Sequence, residues 1–346
     1  MKRLIGNNAR LVYSFLFLTL IFSTPFARAQ EPSVKPKELP IIEAVLTAAP
    51  QVPPPVNRDY EARVVVRLAS DEFRGDLSKG VEYDFWGYNK QVPGPFVRVR
   101  EGDTIEFHFK NSGGSKNSHT IDFHAMTGPC GAACILMTEP GKESIVQAKA
   151  IKPGVFVYHC GAPPIPVHIS NGLYGIILVE PKQALPKVDH EYYVMQSEFY
   201  TEQPAGTKGL ATFSSQKGMD ENPTYVVFNG KVGALMGDGA LQAKTGETIR
   251  LYVGNIGPNL ASSFHVIGMI FSKVYREGSL LSPGENIQTT LIPAGSASTV
   301  EFSSPVPGDY IMVDHSIFRI NKGAMGTIHV EGEPRPDVLN KLQGGE

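Results

Sequence analysis

The chain has 346 residues, with 32 Lys and Arg against 34 Asp and Glu, which gives a near-neutral net charge of −2. This balance, with no cluster of Lys or Arg, argues against a nucleic-acid partner. Three cysteines in a chain of this length are too few for a disulfide scaffold.

Residues 1–29 have the pattern of a signal peptide. A basic start is followed by the apolar run 11–22 and by the small-x-small cleavage signal of Ala27 to Ala29. A transmembrane anchor is the alternative, but the apolar run is shorter than the roughly 20 residues that a span needs. We therefore expect a periplasmic or otherwise exported protein, with no membrane span in the mature chain.

Residues 30–57 are rich in Pro and lack a periodic pattern, which predicts an extended linker or arm. From about Asp59 the chain consists of short alternating runs such as 62–70 and 103–111. Gly, Pro and Asn separate these runs at the spacing of a β-sandwich, and no long stretch has helical periodicity. The sequence predicts an all-β protein, with short helices confined to the loops.

An internal repeat predicts two domains. Three segments of the first half recur in the second half, namely 100–111 as 244–255, 153–159 as 307–315, and 172–180 as 323–331. The offset is about 150 residues, which is close to one domain length. We expect two tandem Greek-key β-sandwiches at 58–182 and 188–334, followed by a tail at 335–346. The second domain has no Cys, so only the first can hold a thiolate metal site.

The stretch 118–181 contains one Cys with His on either side and a Gly-rich return into an apolar strand. This is the ligand pattern of a His₂Cys copper site, which would use His119, Cys160 and His168. Position 173 is the usual place for a weak axial ligand, and it is occupied here by Leu173. A second set of histidines runs alongside the first and consists of His124, His159 and, far downstream, His315.

Strand geometry separates these ligands into two sites. Successive side chains of a strand point to opposite faces, so His119 and Cys160 would share one side. His124 and His159 would share the other side, together with Asp122. The peptide bond between residues 159 and 160 would then join a sulfur-containing site for electron transfer to an all-His site beside a carboxylate. A β-bulge in either segment would invalidate this sorting.

From about His119 to Val330 the chain closely resembles the copper-containing nitrite reductases, which are two-domain cupredoxin enzymes of denitrification. The resemblance assigns roles to nine positions: type 1 copper ligands at His119, Cys160 and His168, type 2 ligands at His124, His159 and His315, a catalytic pair at Asp122 and His265, and an apolar residue over the substrate at Ile267. One departure concerns the axial Met of the family pattern NGMYG, which is Leu173 in NGLYG here.

The resemblance implies a dissimilatory nitrite reductase with two coppers per chain, which converts nitrite to nitric oxide in a one-electron step. It also implies a homotrimer in which one subunit supplies His124 and His159 and its neighbour supplies His315. A head-to-tail interface of this kind closes into a ring. Because the sequence contains no CxxCH, electrons are expected from a separate donor, a small cupredoxin or a c-type cytochrome.

Two other functions compete with nitrite reduction. A laccase-like oxidase needs a trinuclear cluster with HxH pairs and a His-Cys-His, but Cys160 precedes Gly161 and HxH is absent. A non-catalytic copper carrier would not need Asp122, His265 and His315 together. The remaining histidines, His108, His190 and His329, are expected to be structural.

Two features stay open at this level. Cys130 and Cys134 are expected either to pair in an oxidising compartment or to remain two small buried thiols. Leu173 offers no donor atom, so we expect a nearly trigonal, blue copper site of raised potential, unless Met126 or Met137 substitutes as the axial ligand.

Overall fold

The computed structural model describes residues 38–343, so the predicted signal peptide at 1–29 lies outside the described residues. The first ten strands are β1 (Ile41–Glu43), β2 (Leu46–Thr47), β3 (Arg63–Ser78), β4 (Val81–Tyr88), β5 (Phe96–Arg100), β6 (Thr104–Asn111), β7 (Asp122–Phe123), β8 (Glu143–Lys149), β9 (Gly154–His159) and β10 (Tyr174–Glu180). The later strands are β11 (His190–Phe199), β12 (Gly209–Ala211), β13 (Tyr225–Phe228), β14 (Leu241–Lys244), β15 (Thr248–Gly257), β16 (Ser262–Val266), β17 (Phe271–Tyr275), β18 (Gly284–Ile287), β19 (Thr289–Ile292), β20 (Ser296–Ser303), β21 (Gly308–Asp314) and β22 (Met325–Glu331).

Helices are short and lie in the connections, as the sequence predicts. Within the described residues they are α1 (Ile165–Ser170), α2 (Ser215–Met219) and three 3₁₀ helices at Pro129–Ile135, Gly237–Gly239 and Ile317–Lys322. The prediction of an all-β fold is confirmed. Across residues 38–343, no helix has the length and apolar character needed to cross a membrane.

Two sheets built mainly from the first half of the chain enclose the first hydrophobic core. One sheet has the order β12-β4-β3-β6-β8, with β1 added beside β3, and the other has the order β2-β5-β10-β9-β7. Alternation produces this packing, since Ile105, Phe107 and Phe109 of β6 all point inward and are buried. Cys160 and Leu173 belong to the same core, which places the predicted thiolate ligand in an apolar interior.

The second half of the chain repeats this arrangement. Its sheets have the orders β13-β11-β15-β20-β17-β18 and β14-β22-β21-β16-β19. The repeated segments occupy corresponding places, because β10 lies between β5 and β9 while β22 lies between β14 and β21. In the same way β6 lies between β3 and β8, and β15 lies between β11 and β20. Each half is therefore a two-sheet sandwich.

Contacts between the halves include a strand pair and a buried aromatic group. Strand β12, from the second half, pairs in parallel with β4 of the first. Phe96 packs against Tyr193 and Tyr252 with ring centroids 5.2 and 5.5 Å apart. The domain boundaries given above stay predictions. The segment expected as a linker contains β1 and β2, which add to the two sheets of the first half.

Candidate metal centres

The hairpin of β9 and β10 places the central residues of the first site. Cys160 directly follows β9, and its N–H donates to the carbonyl of Leu173 over 3.0 Å. The chain between them forms the six-residue helix α1, which begins after Pro164 and carries His168 near its end. His119 comes from a different loop, which Thr138 fixes by a reciprocal pair of backbone hydrogen bonds. The hairpin thus contributes two of the predicted ligands and a distant loop contributes the third.

The three predicted type 1 ligands converge on one point. His119 Nδ1 and His168 Nδ1 are 3.1 Å apart, and Cys160 Sγ lies 3.3 Å from His168 Nδ1 and 3.9 Å from His119 Nδ1. All three side chains are buried. The backbone N–H of Thr120 also points at Cys160 Sγ, over 3.5 Å. The arrangement brings one sulfur and two nitrogen donors together inside the first core.

The chemistry of this donor set fits copper. Burial raises the pKa of the Cys160 thiol to about 11. Burial, and then the neighbouring His119, lowers the pKa of His168 to about 4. The site therefore presents two neutral imidazoles and a thiol that ionises when a cation replaces its proton. Thiolate with imidazole favours copper or zinc over the hard cations that prefer oxygen ligands.

Leu173 faces Cys160 across the hairpin. Strand register pairs Tyr174 with His159, so Leu173 lies opposite Cys160, and its side chain is fully buried in the same core. Met126 packs against this core, whereas Met137 is 44 % exposed. The assignment of residue 173 to the axial position stays a prediction. Leu173 has no donor atom, and the side chains packed around it are apolar.

Two residues that the sequence did not identify contact the first cluster. Trp86 packs edge-on against both imidazoles, with ring centroids 5.6 Å from His119 and 4.9 Å from His168. Glu72 places Oε1 3.4 Å from His119 Nε2. His119 Nε2 has no hydrogen-bond partner among the described residues, so Glu72 acts on this imidazole mainly through its charge. Both residues come from the β3–β4 hairpin, and no local motif marks them.

The second cluster lies at the surface of the first half. His124 Nε2 and His159 Nε2 are 3.1 Å apart, and a carboxylate oxygen of Asp122 completes a group of donors within 4.8 Å of one another. Asp122 in β7 pairs directly with His159 in β9, which explains why the carboxylate lies beside the imidazole. The grouping follows the alternation that the sequence suggested. Two nitrogen donors at the surface leave room for a third ligand and for a small anion.

One hydrogen bond links the two clusters and determines the tautomer of His159. Its Nδ1–H donates to the carbonyl oxygen of Cys160 over 3.0 Å. A carbonyl can only accept, so Nδ1 carries the proton and the lone pair of Nε2 faces His124. The peptide unit between residues 159 and 160 therefore has one side chain in each cluster. This connection is a short covalent path between the sites.

His265 and His315 form a separate pair in the second half. Their ring centroids are 5.5 Å apart, and within the described residues His315 does not join the cluster of His124 and His159. His265 Nδ1–H donates to the Gln288 carbonyl over 2.5 Å, which leaves Nε2 free of that proton. Ile267 lies just beyond His265 and is 46 % exposed. The structure thus divides the predicted type 2 and catalytic residues between two surfaces of the chain.

A buried carboxylate supports the His265–His315 pair and was missed by sequence reasoning. Asp314 is fully buried, and its Oδ1 accepts from the backbone N–H groups of Ser263 and Ser316 at 3.1 and 3.0 Å. Its Oδ2 pairs with Arg319 at 2.5 Å. These bonds join strand β16, which carries His265, to the loop that carries His315. A buried carboxylate with several donors of this kind rigidifies the residues around it.

The structure also shows the pairing of the two remaining cysteines and of the histidines expected to be structural. Cys130 and Cys134 are joined in a disulfide and both are exposed, so the alternative of two buried thiols is wrong. The three histidines expected to be structural each pair with a carboxylate: His108 with Glu106, His190 with Glu247, and His329 with Asp309.

Comparisons with known proteins agree with this architecture. Residues 74–184 match a family model described as multicopper oxidase. A copper-containing nitrite reductase of Neisseria meningitidis serogroup B is 52% identical over 305 residues, which cover 88% of this chain and 78% of that protein. The corresponding protein of Neisseria gonorrhoeae matches at the same identity and coverage. The solved copper nitrite reductase from Nitrosomonas europaea has a TM-score of 0.70 and 39% identity, and covers 80% of this chain and 96% of that chain.

The fold and the two donor clusters define a protein of two cupredoxin-like sandwiches, and its residues 74–184 are similar to the multicopper oxidases. The relatives narrow this class further. The chain belongs to the family of copper-containing nitrite reductases. The family that the sequence motifs resemble is therefore confirmed.

Proposed function

We propose that this protein reduces nitrite to nitric oxide, using two coppers per chain. The observation that carries the proposal is the pair of donor clusters joined by the His159–Cys160 peptide, one buried with sulfur and one exposed with imidazoles. When bound, copper supplies the one-electron redox chemistry and an acceptor position for an anion. The relatives named above favour this function over the laccase-like oxidase and the electron carrier.

The protein's own residues would manage the protons. Nitrite, one electron and two protons give nitric oxide and water. The two protons must therefore come from two general acids or through a proton relay. Asp122 supplies a carboxylate beside the exposed imidazoles. His265 supplies an imidazole whose Nδ1 proton is held by a carbonyl, so its Nε2 can exchange a proton with substrate. Ile267 would add an apolar surface beside the anion.

We propose a homotrimer as the active assembly. In one chain His124 and His159 form an incomplete cluster, while His265 and His315 form a separate pair. A head-to-tail ring would bring the partner's His315 to that cluster as its third imidazole. Exposed apolar side chains beside His315 support a contact there, since Phe318 is 84 % exposed.

Export, the domain boundaries and the electron source belong to the same proposal. Residues 1–29 would be removed as a signal peptide, and denitrification in the periplasm would follow. The two sandwiches would occupy 58–182 and 188–334, since every strand from β3 to β10 and from β11 to β22 falls within these limits. A small cupredoxin or a c-type cytochrome would deliver the electron to the buried cluster.

The test is nitrite turnover by the copper-loaded protein with a reduced dye. We expect nitric oxide as product, and about a 10²-fold lower kcat in Asp122→Asn and in His265→Ala, the scale of a general acid–base contribution. Copper content should stay unchanged in both. His329→Ala, which removes an exposed histidine of β22, is the matched control and should keep the wild-type rate. Wild-type rates in both test variants would exclude the proton roles, and a fully loaded protein without nitrite turnover would support the carrier instead.

A further inference from the structure

A surface loop closed by an exposed disulfide lies directly after the second cluster. Cys130 and Cys134 bound the loop, with Cα atoms 5.7 Å apart, within the usual range for a disulfide. The loop belongs to the 3₁₀ segment Pro129–Ile135, which follows His124 by only a few residues. The activity proposed above does not use this disulfide.

The backbone inside the loop is held in an unfavourable conformation. Cys130, Gly131 and Ala132 have φ angles of +58°, +50° and +81°, which lie in the left-handed region. Only glycine adopts this region without a steric penalty, so Cys130 and Ala132 are strained there. Strained residues persist where the surrounding structure fixes them. A covalent bridge across four residues is such a constraint.

The strained turn packs on the carboxylate of Asp122. A methyl group built on Gly131 would lie well under 3.0 Å from Asp122 Oδ1 and 3.0 Å from the carbonyl oxygen of Phe123. The backbone of the loop is therefore in direct contact with this carboxylate. On its other side, the carboxylate belongs to the donor group of His124 and His159. Asp122 is thus confined between the disulfide loop and the two imidazoles.

The same loop also contacts the surroundings of the buried cluster. The carbonyl of Ala133 accepts a hydrogen bond from the Thr120 hydroxyl over 2.7 Å. A methyl group built on Gly161 would lie 2.8 Å from Ala133 Cβ, so the loop packs closely on the residue after Cys160. Thr120 is the residue whose N–H points at Cys160 Sγ. The loop is therefore anchored at one end to the first cluster while its strained turn covers Asp122.

We propose that the Cys130–Cys134 disulfide is a positioning element of the active site. It holds Gly131 against Asp122, and so keeps the carboxylate directed at the His124–His159 cluster during nitrite reduction. This inference rests on the proposed function, because it assumes that Asp122 takes part in proton delivery. It adds that the loop geometry, and not only the carboxylate itself, determines the rate.

The first experiment removes the bridge in the full-length, copper-loaded protein. We expect the double variant Cys130→Ala/Cys134→Ala to lose about 10- to 100-fold in kcat, the effect of a misplaced catalytic group. Its copper content and visible absorption band should match the wild type. Faster hydrogen exchange of the amides at 128–136 should accompany the loss. Mass spectrometry of the wild type should show the bridge intact.

A double-mutant cycle with Asp122→Asn separates positioning from general damage. If the bridge acts through Asp122, the cysteine substitutions should cause no further loss of kcat in the Asp122→Asn background. Additive losses would overturn the inference, because the bridge would then act by another route. A wild-type rate in the double cysteine variant, with the loop amides exchanging faster, would overturn it as well.

A glycine pair tests the contact while the disulfide stays in place, even if the double cysteine variant fails to fold. Gly131→Ala should lower kcat at least tenfold, since its methyl group would displace the Asp122 carboxylate. Gly128→Ala is the matched control. It lies two residues before the disulfide-closed loop, has an extended φ and has nothing within 4 Å of the added methyl, so it should keep the wild-type rate. Equal rates for the two variants would overturn the inference.

The outcomes also separate this inference from the proposed function. Slow turnover in Asp122→Asn together with wild-type turnover in Gly131→Ala would remove the positioning role alone. Wild-type turnover in Asp122→Asn would remove the proton role of Asp122, and the positioning role with it.

Discussion

Leu173→Met restores a sulfur at the position where the family pattern has its axial ligand, and it should lower the potential of the thiolate copper. Leu173 lies opposite Cys160 across the β9–β10 hairpin, and residues that face each other in an antiparallel pair have Cβ atoms about 4.5–5.5 Å apart. A thioether on residue 173 is therefore close enough to approach the thiolate site. Axial thioether donation stabilises Cu(II), so removing it raises the potential and restoring it lowers the potential.

The expected change in stability follows from the burial and the size of the side chain. Leu173 is fully buried, but Leu and Met have similar volumes, so the free energy of unfolding should change by less than about 1.5 kcal/mol. The potential should fall, and each fall of about 59 mV is a factor of ten in a one-electron equilibrium. The wild type should be blue and nearly trigonal, and the Met variant should shift toward green.

The assay is a redox titration followed by the visible absorption band. Leu173→Ile is the matched control, because it changes the shape of the side chain without adding sulfur and should keep the wild-type potential. If the potential of the Met variant does not fall, residue 173 is not at the axial position. If Met126 were bound in the wild type, Leu173→Met would also leave the potential unchanged, and Met126→Leu would then have a higher potential than the wild type.

Three further predictions concern copper binding. Cys160→Ser should abolish the strong visible band while the exposed cluster keeps its copper, and a retained band would show that Cys160 is not the thiolate ligand. His315→Ala should reduce copper from two to one per chain by metal analysis, whereas unchanged copper would contradict the shared site. Burial raises the pKa of Cys160 to about 11 and lowers that of His168 to about 4, so between about pH 6 and 9 binding at the buried cluster releases one proton, from the thiol. Apparent affinity in a chelator competition should therefore rise about tenfold per pH unit, and a flat profile would contradict thiolate ligation.

Local sequence spacing was enough to identify the buried cluster and the fold. Cys160 and His168 are eight residues apart on one hairpin, so a short motif locates both predicted ligands and Leu173. Alternation along β6 and the repeat between the halves predicted the sandwiches, because side-chain direction in a strand has a period of two. The sorting of His119 and Cys160 from Asp122, His124 and His159 followed from the same period.

Other features depend on contacts between residues that are distant in the sequence, and only the tertiary structure determined them. Glu72 and Trp86 reach the first cluster from a hairpin more than thirty residues before His119, and neither carries a motif. Asp314 is recognisable as a support for His265 only when the strands are paired. The contact of the disulfide loop with Asp122 arises from a left-handed turn at Gly131, and this conformation depends on packing and on the covalent bridge. Sequence determined which donors exist and how they alternate, whereas three-dimensional packing decided which groups hold them in place.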